Sequence, residues 1–220
     1  MCRLPDGLPV SRGAVIIGGG ELLGGVVMLD RIRDHLRSHT DVVQTLVQQA
    51  PVIEQAAQRC GAALAAGNKV LLCGNGGSAA DAQHIAAELI GRFINDRRSL
   101  PAVALTTDTS ALTAIANDYG YEYVFSRQVE GLAKPGDVLI AISTSGNSPN
   151  INHAAARARQ HQCEVIGLIG KSGGALAPLC DTAIVIGSDI TARIQECHIL
   201  IGHILCDLIE QALPESSVTT

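Results

Sequence analysis

The chain has 220 residues, a net charge of −5, and 47% hydrophobic against 17% charged residues. That is enough apolar material for one buried core or two small ones, and it excludes a disordered chain. Aromatic residues make up only 2%, with three Tyr, two Phe and no Trp, which disfavours sugar or nucleic-acid binding on stacked rings, and the negative charge leaves no general footprint for DNA or RNA.

Residues 1–27 do not read as a secretory signal, because Glu21 and several glycines interrupt the apolar stretch. Gly18, Gly20 and Gly24 come near a dinucleotide-binding turn, but position 23 is Leu and the Gly-x-Gly-x-x-Gly spacing fails. The segment is expected to be an extension outside the fold, with Met28 as a candidate natural start. Residues 28–213 are expected to form a single domain, followed by a frayed tail at 214–220.

From Leu29 to about Gln49 the apolar residues fall mostly at helical spacing. Pro51 to Ala66 reads as a second helix, ended by Gly67-Asn68. An alternation then begins. Short apolar runs at Lys69–Cys73, Ala102–Thr106, Val138–Ser143, Glu164–Ile169 and Thr182–Ile186 read as strands. Helices are expected between them at about 78–94, 109–117, 121–133, 149–161 and 173–179, with a long last helix from Thr191 to Leu213. Strands that are apolar on both faces and alternate with helices predict an α/β fold. Its expected core is a doubly wound, five-stranded parallel sheet flanked by helices, preceded by N-terminal helices.

The cysteines, Cys2, Cys60, Cys73, Cys163, Cys180, Cys197 and Cys206, are scattered and never form Cys-x-x-Cys. This suggests a reducing cytoplasm and small core hydrophobes rather than a disulfide framework. No apolar run reaches the roughly 18 residues of a membrane span.

Two strand ends are unusual. The first strand runs into Gly74-Asn75-Gly76-Gly77-Ser78 and the third into Ser143-Thr144-Ser145-Gly146-Asn147-Ser148, each followed by a helix. Glycines let the backbone approach a ligand, and helix N-terminal amides and hydroxyls donate to an anion. There is no Gly-Lys-Ser/Thr, so a nucleoside triphosphate loop is excluded and a sugar phosphate is favoured over ordinary turn chemistry.

On the helix after the first loop, His84 and Glu88 are four apart and share a face, a pair able to chelate a metal but, taken alone, more often a solvated helix contact. The pattern is not His-Glu-x-x-His, so it does not read as a metalloprotease. The last helix carries Gln195, Glu196, His198 and His203 in an apolar setting, and buried polar groups need partners. Helical geometry leaves open which of them face His84 and Glu88, or whether they form a structural network.

The segments CGNGGSAADAQHIAAEL, LTAIANDYG, AISTSGNSPN and ARIQECHILIGH together resemble the sugar-isomerase (SIS) family, and within it the bacterial phosphoheptose isomerases. The similarity runs from about residue 28 to 213. It implies conversion of D-sedoheptulose 7-phosphate to D-glycero-D-manno-heptose 7-phosphate for lipopolysaccharide core synthesis, in a cytoplasmic homotetramer with active sites between subunits. It also implies one Zn2+ per subunit, with His84, Glu88, Gln195 and His203 as metal ligands and Glu88 and His203 as the acid/base pair. The implied substrate contacts are Asn75, Gly76, Gly77, Glu88, Asn117, Asp118, Ser143, Thr144, Ser145, Ser148 and Gln195. An alternative of another class is a tetrameric SIS scaffold that binds the replication initiator DnaA, since LTAIAND and LCDLIE look much like that group too. A scaffold needs no acid, base or metal ligands, and the presence of Glu88 and His203 favours the enzyme. A sugar-phosphate-sensing domain of a regulator ranks last.

Overall fold

Successive strand residues point to opposite faces of a sheet, and on the three inner strands both faces are dry. Val70, Leu72, Ile140, Ile142, Ile166, Leu168, Ile184 and Ile186 belong to one apolar cluster, whereas Leu71, Cys73, Leu139, Ala141, Val165 and Ile169 belong to another. The computed structural model describes residues 23–213. Its strands are β1 (Val70–Cys73), β2 (Ala102–Ala104), β3 (Val138–Ser143), β4 (Glu164–Gly170) and β5 (Thr182–Ile186). All pair in parallel, in the order β2-β1-β3-β4-β5.

The helices are α1 (Leu23–Thr45), α2 (Ala50–Ala65), α3 (Gly77–Ile90), α4 (Thr109–Tyr119), α5 (Ser126–Leu132), α6 (Pro149–Gln160) and α7 (Thr191–Ala212). Residues of α2, α3 and α7 fill the first cluster, and residues of α5 and α6 fill the second. The expected five-stranded, doubly covered sheet is therefore the observed one. β1 and β3 are neighbours at its centre, and the chain winds outward from them in opposite directions. In such sheets ligands bind beyond the carboxyl ends of the two strands at this switch.

By its internal contacts the chain divides into two units, Met1–Leu36 and Arg37–Thr220. The described part of the first is the leading portion of α1. The second contains the sheet and the remaining helices. The expectations for residues 1–22 and 214–220 lie outside the described residues. Helix α1 starts at Leu23, so Met28 lies within the helix and does not open it.

Four expected helices differ in extent. The first breaks at Thr45 into a short 3-10 turn, Leu46–Gln49. The segment 121–133 splits into a 3-10 turn at Tyr121–Tyr123 and α5. The segment 173–179 keeps only a 3-10 turn at Ala177–Leu179, because Gly173 and Gly174 take φ of 90° and 53° and cannot continue a right-handed helix. The helix expected to reach residue 94 stops at Ile90, where Gly91 caps it. Beyond it the N–H groups of Phe93, Ile94 and Asn95 donate to the Glu210 carboxylate and not to helix carbonyls.

Candidate active site

Helices α3 and α7 pack face to face, and glycines set how closely. A Cβ at Gly202 would sit 2.6 Å from Ile85 Cδ1, a distance that real side chains do not tolerate. Without it α7 lies against α3, and His203 comes over the face that carries His84 and Glu88. At the top of α3, a Cβ on Gly77 would fall 2.3 Å from Gln195 Nε2. The Gln195 amide thus rests on the first turn of α3, immediately after the Gly74–Gly76 loop.

His84 Nε2 lies 3.0 Å from His203 Nε2 and 3.3 Å from Glu88 Oε1. One ligand atom from each of the three residues falls within 4.8 Å of the others. A tetrahedral zinc site with bonds of about 2.0–2.1 Å separates its ligand atoms by roughly 3.3 Å. The donor set, two imidazoles and a carboxylate, also suits a borderline metal. The residues therefore fit a divalent cation. The His84 side chain is exposed and that of Glu88 partly so, leaving the face of the cluster open to a ligand. The Phe93 ring stacks against His203 at 5.6 Å between centroids and 24° between planes.

The structure also decides among the polar groups of α7 that helical geometry left open. Glu196 turns away, 2.7 Å from His39 Nδ1 and 2.6 Å from Arg193. His198 is fully buried. Burial holds its pKa down at about 4, so it stays neutral inside the core. Gln195 and His203 remain on the α3 side.

The loop after β3 gathers hydroxyls at the N-terminus of α6. Ser143 is buried, accepts from the Gly146 N–H at 3.1 Å and meets Ser148 Oγ at 3.2 Å. The Ser148 hydroxyl is not used to cap α6, so it is available to a ligand at that helix N-terminus. The segment after β4 buttresses this loop: Leu176 N–H donates to Gly146 O at 2.9 Å and Ala175 N–H to Asn147 Oδ1 at 3.0 Å. Thr144 and Ser145 are half-buried in the same turn.

Two residues that sequence reasoning missed join the loops. Asn75 and Asn150 exchange amide hydrogen bonds of 2.9 and 2.8 Å, and Tyr121 Oη donates to Asn75 Oδ1 at 3.1 Å. Together with Glu122, Ser148 and Pro149 they line an open cleft of about 290 Å³. The signal for Tyr121 was present in the composition: all three tyrosines fall within residues 119–123. Asn117 and Asp118 are exposed at the end of α4, where Asn117 Nδ2 donates to Asp118 Oδ1 at 2.8 Å, and neither bonds to another side chain of the site.

Asp81, one turn before His84, has a buried Oδ2 without a hydrogen-bond partner. Its carboxyl is pushed above the usual range by burial, with His84 opposing. The six described cysteines are free thiols. Burial raises Cys60, Cys73, Cys180 and Cys206 to about 12, which makes them inert core residues.

The SIS domain family matches residues 34–170. A phosphoheptose isomerase of Nitratiruptor sp. is 57% identical over 186 residues, covering 84% of this chain and 100% of that protein. One of Helicobacter hepaticus is 54% identical, covering 86% and 96%. The solved structure of phosphoheptose isomerase GmhA from Neisseria gonorrhoeae superposes with a TM-score of 0.80 at 45% identity, covering 84% of this chain and 99% of that one. With its sheet order, its two loops and the His84–Glu88–His203 cluster already in view, this chain belongs to the phosphoheptose isomerase family of SIS-domain proteins.

Proposed function

We propose that the chain is an aldose–ketose isomerase that converts D-sedoheptulose 7-phosphate to D-glycero-D-manno-heptose 7-phosphate, feeding ADP-heptose and lipopolysaccharide core synthesis, with residues 28–213 as its SIS domain. The observation that carries this reading is the meeting of Glu88 and His203 in one cluster with His84; a hydroxyl-rich loop follows β3 at the sheet's switch point. The names of the relatives support a phosphorylated heptose as the substrate class.

The reaction moves one proton between C1 and C2 and another between O1 and O2 through an enediol(ate). Ser143, Thr144, Ser145, Ser148 and the amides of α6 hold the terminal phosphate. Asn75, Gly76, Gly77, Gln195, Asn117 and Asp118 orient the sugar hydroxyls. Glu88 takes the carbon-bound proton and returns it to the neighbouring carbon. His203 carries the proton between the oxygens. One Zn2+ per chain, held by His84, Glu88, Gln195 and His203, supplies Lewis-acid polarisation of the sugar oxygens when bound.

The working assembly is a homotetramer with active sites between subunits. Exposed apolar side chains support this: Leu29 and Ile32 stand out from the leading part of α1. Separately, Val43, Leu46, Val47, Ala50, Ile53, Leu200, Ile204 and Leu208 line an apolar groove of about 350 Å³. Free cysteines support a cytoplasmic setting, and among the described residues no helix is long and apolar enough to cross a membrane. The DnaA-binding scaffold is not carried forward: the relatives described above are named as isomerases, and a scaffold gives no account of the acid/base cluster.

Proton NMR of sedoheptulose 7-phosphate incubated with the zinc-loaded protein tests the reading. Aldose anomeric signals should grow with time. A folded, zinc-loaded protein that produces none sinks the assignment.

A further inference from the structure

The segment 91–98 between α3 and β2 has no regular structure, yet it is tied to α3 and α7 by hydrogen bonds and an ion pair. Three consecutive backbone N–H groups converge on Glu210: Phe93 at 2.8 Å, Ile94 at 3.1 Å and Asn95 at 2.9 Å. Arg97 Nε lies 2.9 Å from the same carboxylate, whose side chain is wholly shielded from solvent. The Arg97 guanidinium also donates to the carbonyls of Glu88 and Leu89 at 2.9 Å, the last carbonyls of α3 that the helix itself cannot satisfy. One ion pair thus fixes the loop to α7 and the end of α3 to the loop.

The geometry carries this order to the cluster. Glu210 is seven residues after His203, two turns further along the same face of α7. The loop held at Glu210 returns the Phe93 ring to His203, stacked at 5.6 Å. The same Arg97 holds the backbone of Glu88. Both members of the acid/base pair therefore lean on a single buried contact that touches neither reacting group.

We propose that Glu210, with Arg97, is a positioning residue for His203, acting through the stacked ring of Phe93. In its kinetic consequence the proposal rests on the isomerase reading; in its geometry it does not. A carboxylate in a closed nest of N–H donors is rigid, and a ring packed on one imidazole face limits rotation about the His203 side chain. Loss of the nest frees the loop, the ring leaves, and His203 samples orientations that do not serve proton transfer. The phosphate loop lies elsewhere, after β3, so substrate capture is left intact.

The test compares Phe93→Leu, Phe93→Tyr, Glu210→Gln, Glu210→Asp and the double variant Phe93→Leu/Glu210→Gln. Glu210→Asp serves if Glu210→Gln does not fold. Phe93→Leu and the Glu210 variant should each lower kcat about tenfold. KM should stay within about twofold. The double variant should lose no more than the worse single one, since both act on one chain of contacts. Phe93→Tyr, which keeps the ring, should restore kcat to within about twofold. Independent losses that multiply, or a folded Glu210 variant with normal kcat, overturn the proposal.

A second readout needs no turnover. In metal-free protein, the His203 ring-proton resonances, assigned with His203→Gln, carry the ring-current shift of Phe93. Phe93→Leu should remove that shift and the Glu210 variant should move the signals the same way. Signals unmoved by the Glu210 change overturn the proposal. Signals that move in a protein that does not convert the sugar support the positioning and refute the isomerase reading.

Discussion

His203 Nε2 lies 3.0 Å from His84 Nε2 across 119 residues of sequence, and the contact exists because Gly202, the residue before His203, brings no side chain to the α3–α7 interface. A methyl at that position would sit 2.6 and 2.7 Å from two Ile85 side-chain atoms. Gly202→Ala should therefore part the helices, costing about 1–3 kcal/mol as other overpacking changes do. Thermal unfolding should show the loss, and kcat should fall with it. A variant of unchanged stability would mean that Ile85 moves aside freely.

Removal of one ligand should separate metal binding from folding. The His84 side chain is about half exposed, and exposed substitutions usually stay within about 0.5 kcal/mol. His84→Ala should keep the wild-type unfolding transition in the absence of metal, yet hold well under one zinc per chain by elemental analysis. Full zinc content in this variant would remove His84 from the ligand set.

Loss of a phosphate contact should appear in KM. Ser148 Oγ meets Ser143 Oγ and is not spent on capping α6. Ser148→Ala should raise KM for the phosphorylated sugar about tenfold with little change in kcat, the signature of binding felt equally in ground and transition states. Ser143→Ala should raise KM too, with some loss of stability, because it strands the Gly146 N–H that Ser143 accepts. Unchanged KM in both would move the phosphate elsewhere.

His198 should give the protein an acid-sensitive limb. Its folded pKa is held down to about 4 by burial, whereas an unfolded His titrates near 6.5. Above about pH 6.5 both states are neutral and the group is silent. As pH falls from about 6.5 towards about 4, the unfolded state binds a proton that the folded state refuses, and stability declines by at most about 3 kcal/mol. His198→Leu should flatten urea-unfolding stability over that window. A variant as steep as wild type would assign the slope to other groups.

Glu210 should add a second acid-sensitive limb at lower pH. Burial pushes its carboxyl up, but the N–H groups of Asn95, Phe93 and Ile94 and the Arg97 guanidinium outweigh this and hold it below the usual range. Its stabilisation is complete above the unfolded value of about 4.3 and is lost as pH falls through the lower folded value. Glu210→Gln should be less stable at neutral pH and should lose less on acidification below about pH 4. An acid limb identical to wild type would mean that the carboxylate is not what holds segment 91–98.

The order of strands and helices was legible in the chain because it depends on local pattern. Apolar runs such as Val138–Ser143 are apolar on both faces only if both faces are covered, and the glycine- and hydroxyl-rich segments after β1 and β3 announce themselves by composition. His84 and Glu88 were legible as a pair because 3.6 residues per turn places them together. The partner side of the cluster was not. Periodicity ranks Gln195, Glu196, His198 and His203 alike, as polar groups on an apolar helix. Resemblance, and not spacing, selected Gln195 and His203.

Tertiary structure made the selection physical. Glu196 is drawn off by His39 and Arg193, His198 is buried, and close approach at Gly77 and Gly202 leaves Gln195 and His203 facing α3. It also ended α3 at Ile90, four residues before the pattern did, because a carboxylate far along the chain accepts the N–H groups that would have continued the helix. What the amino-acid sequence determined by itself is what neighbours in the chain decide: element type, order and the loops at the switch point. Which side chains meet depends on distances between helices, and those are set by packing at single residues that no local pattern distinguishes.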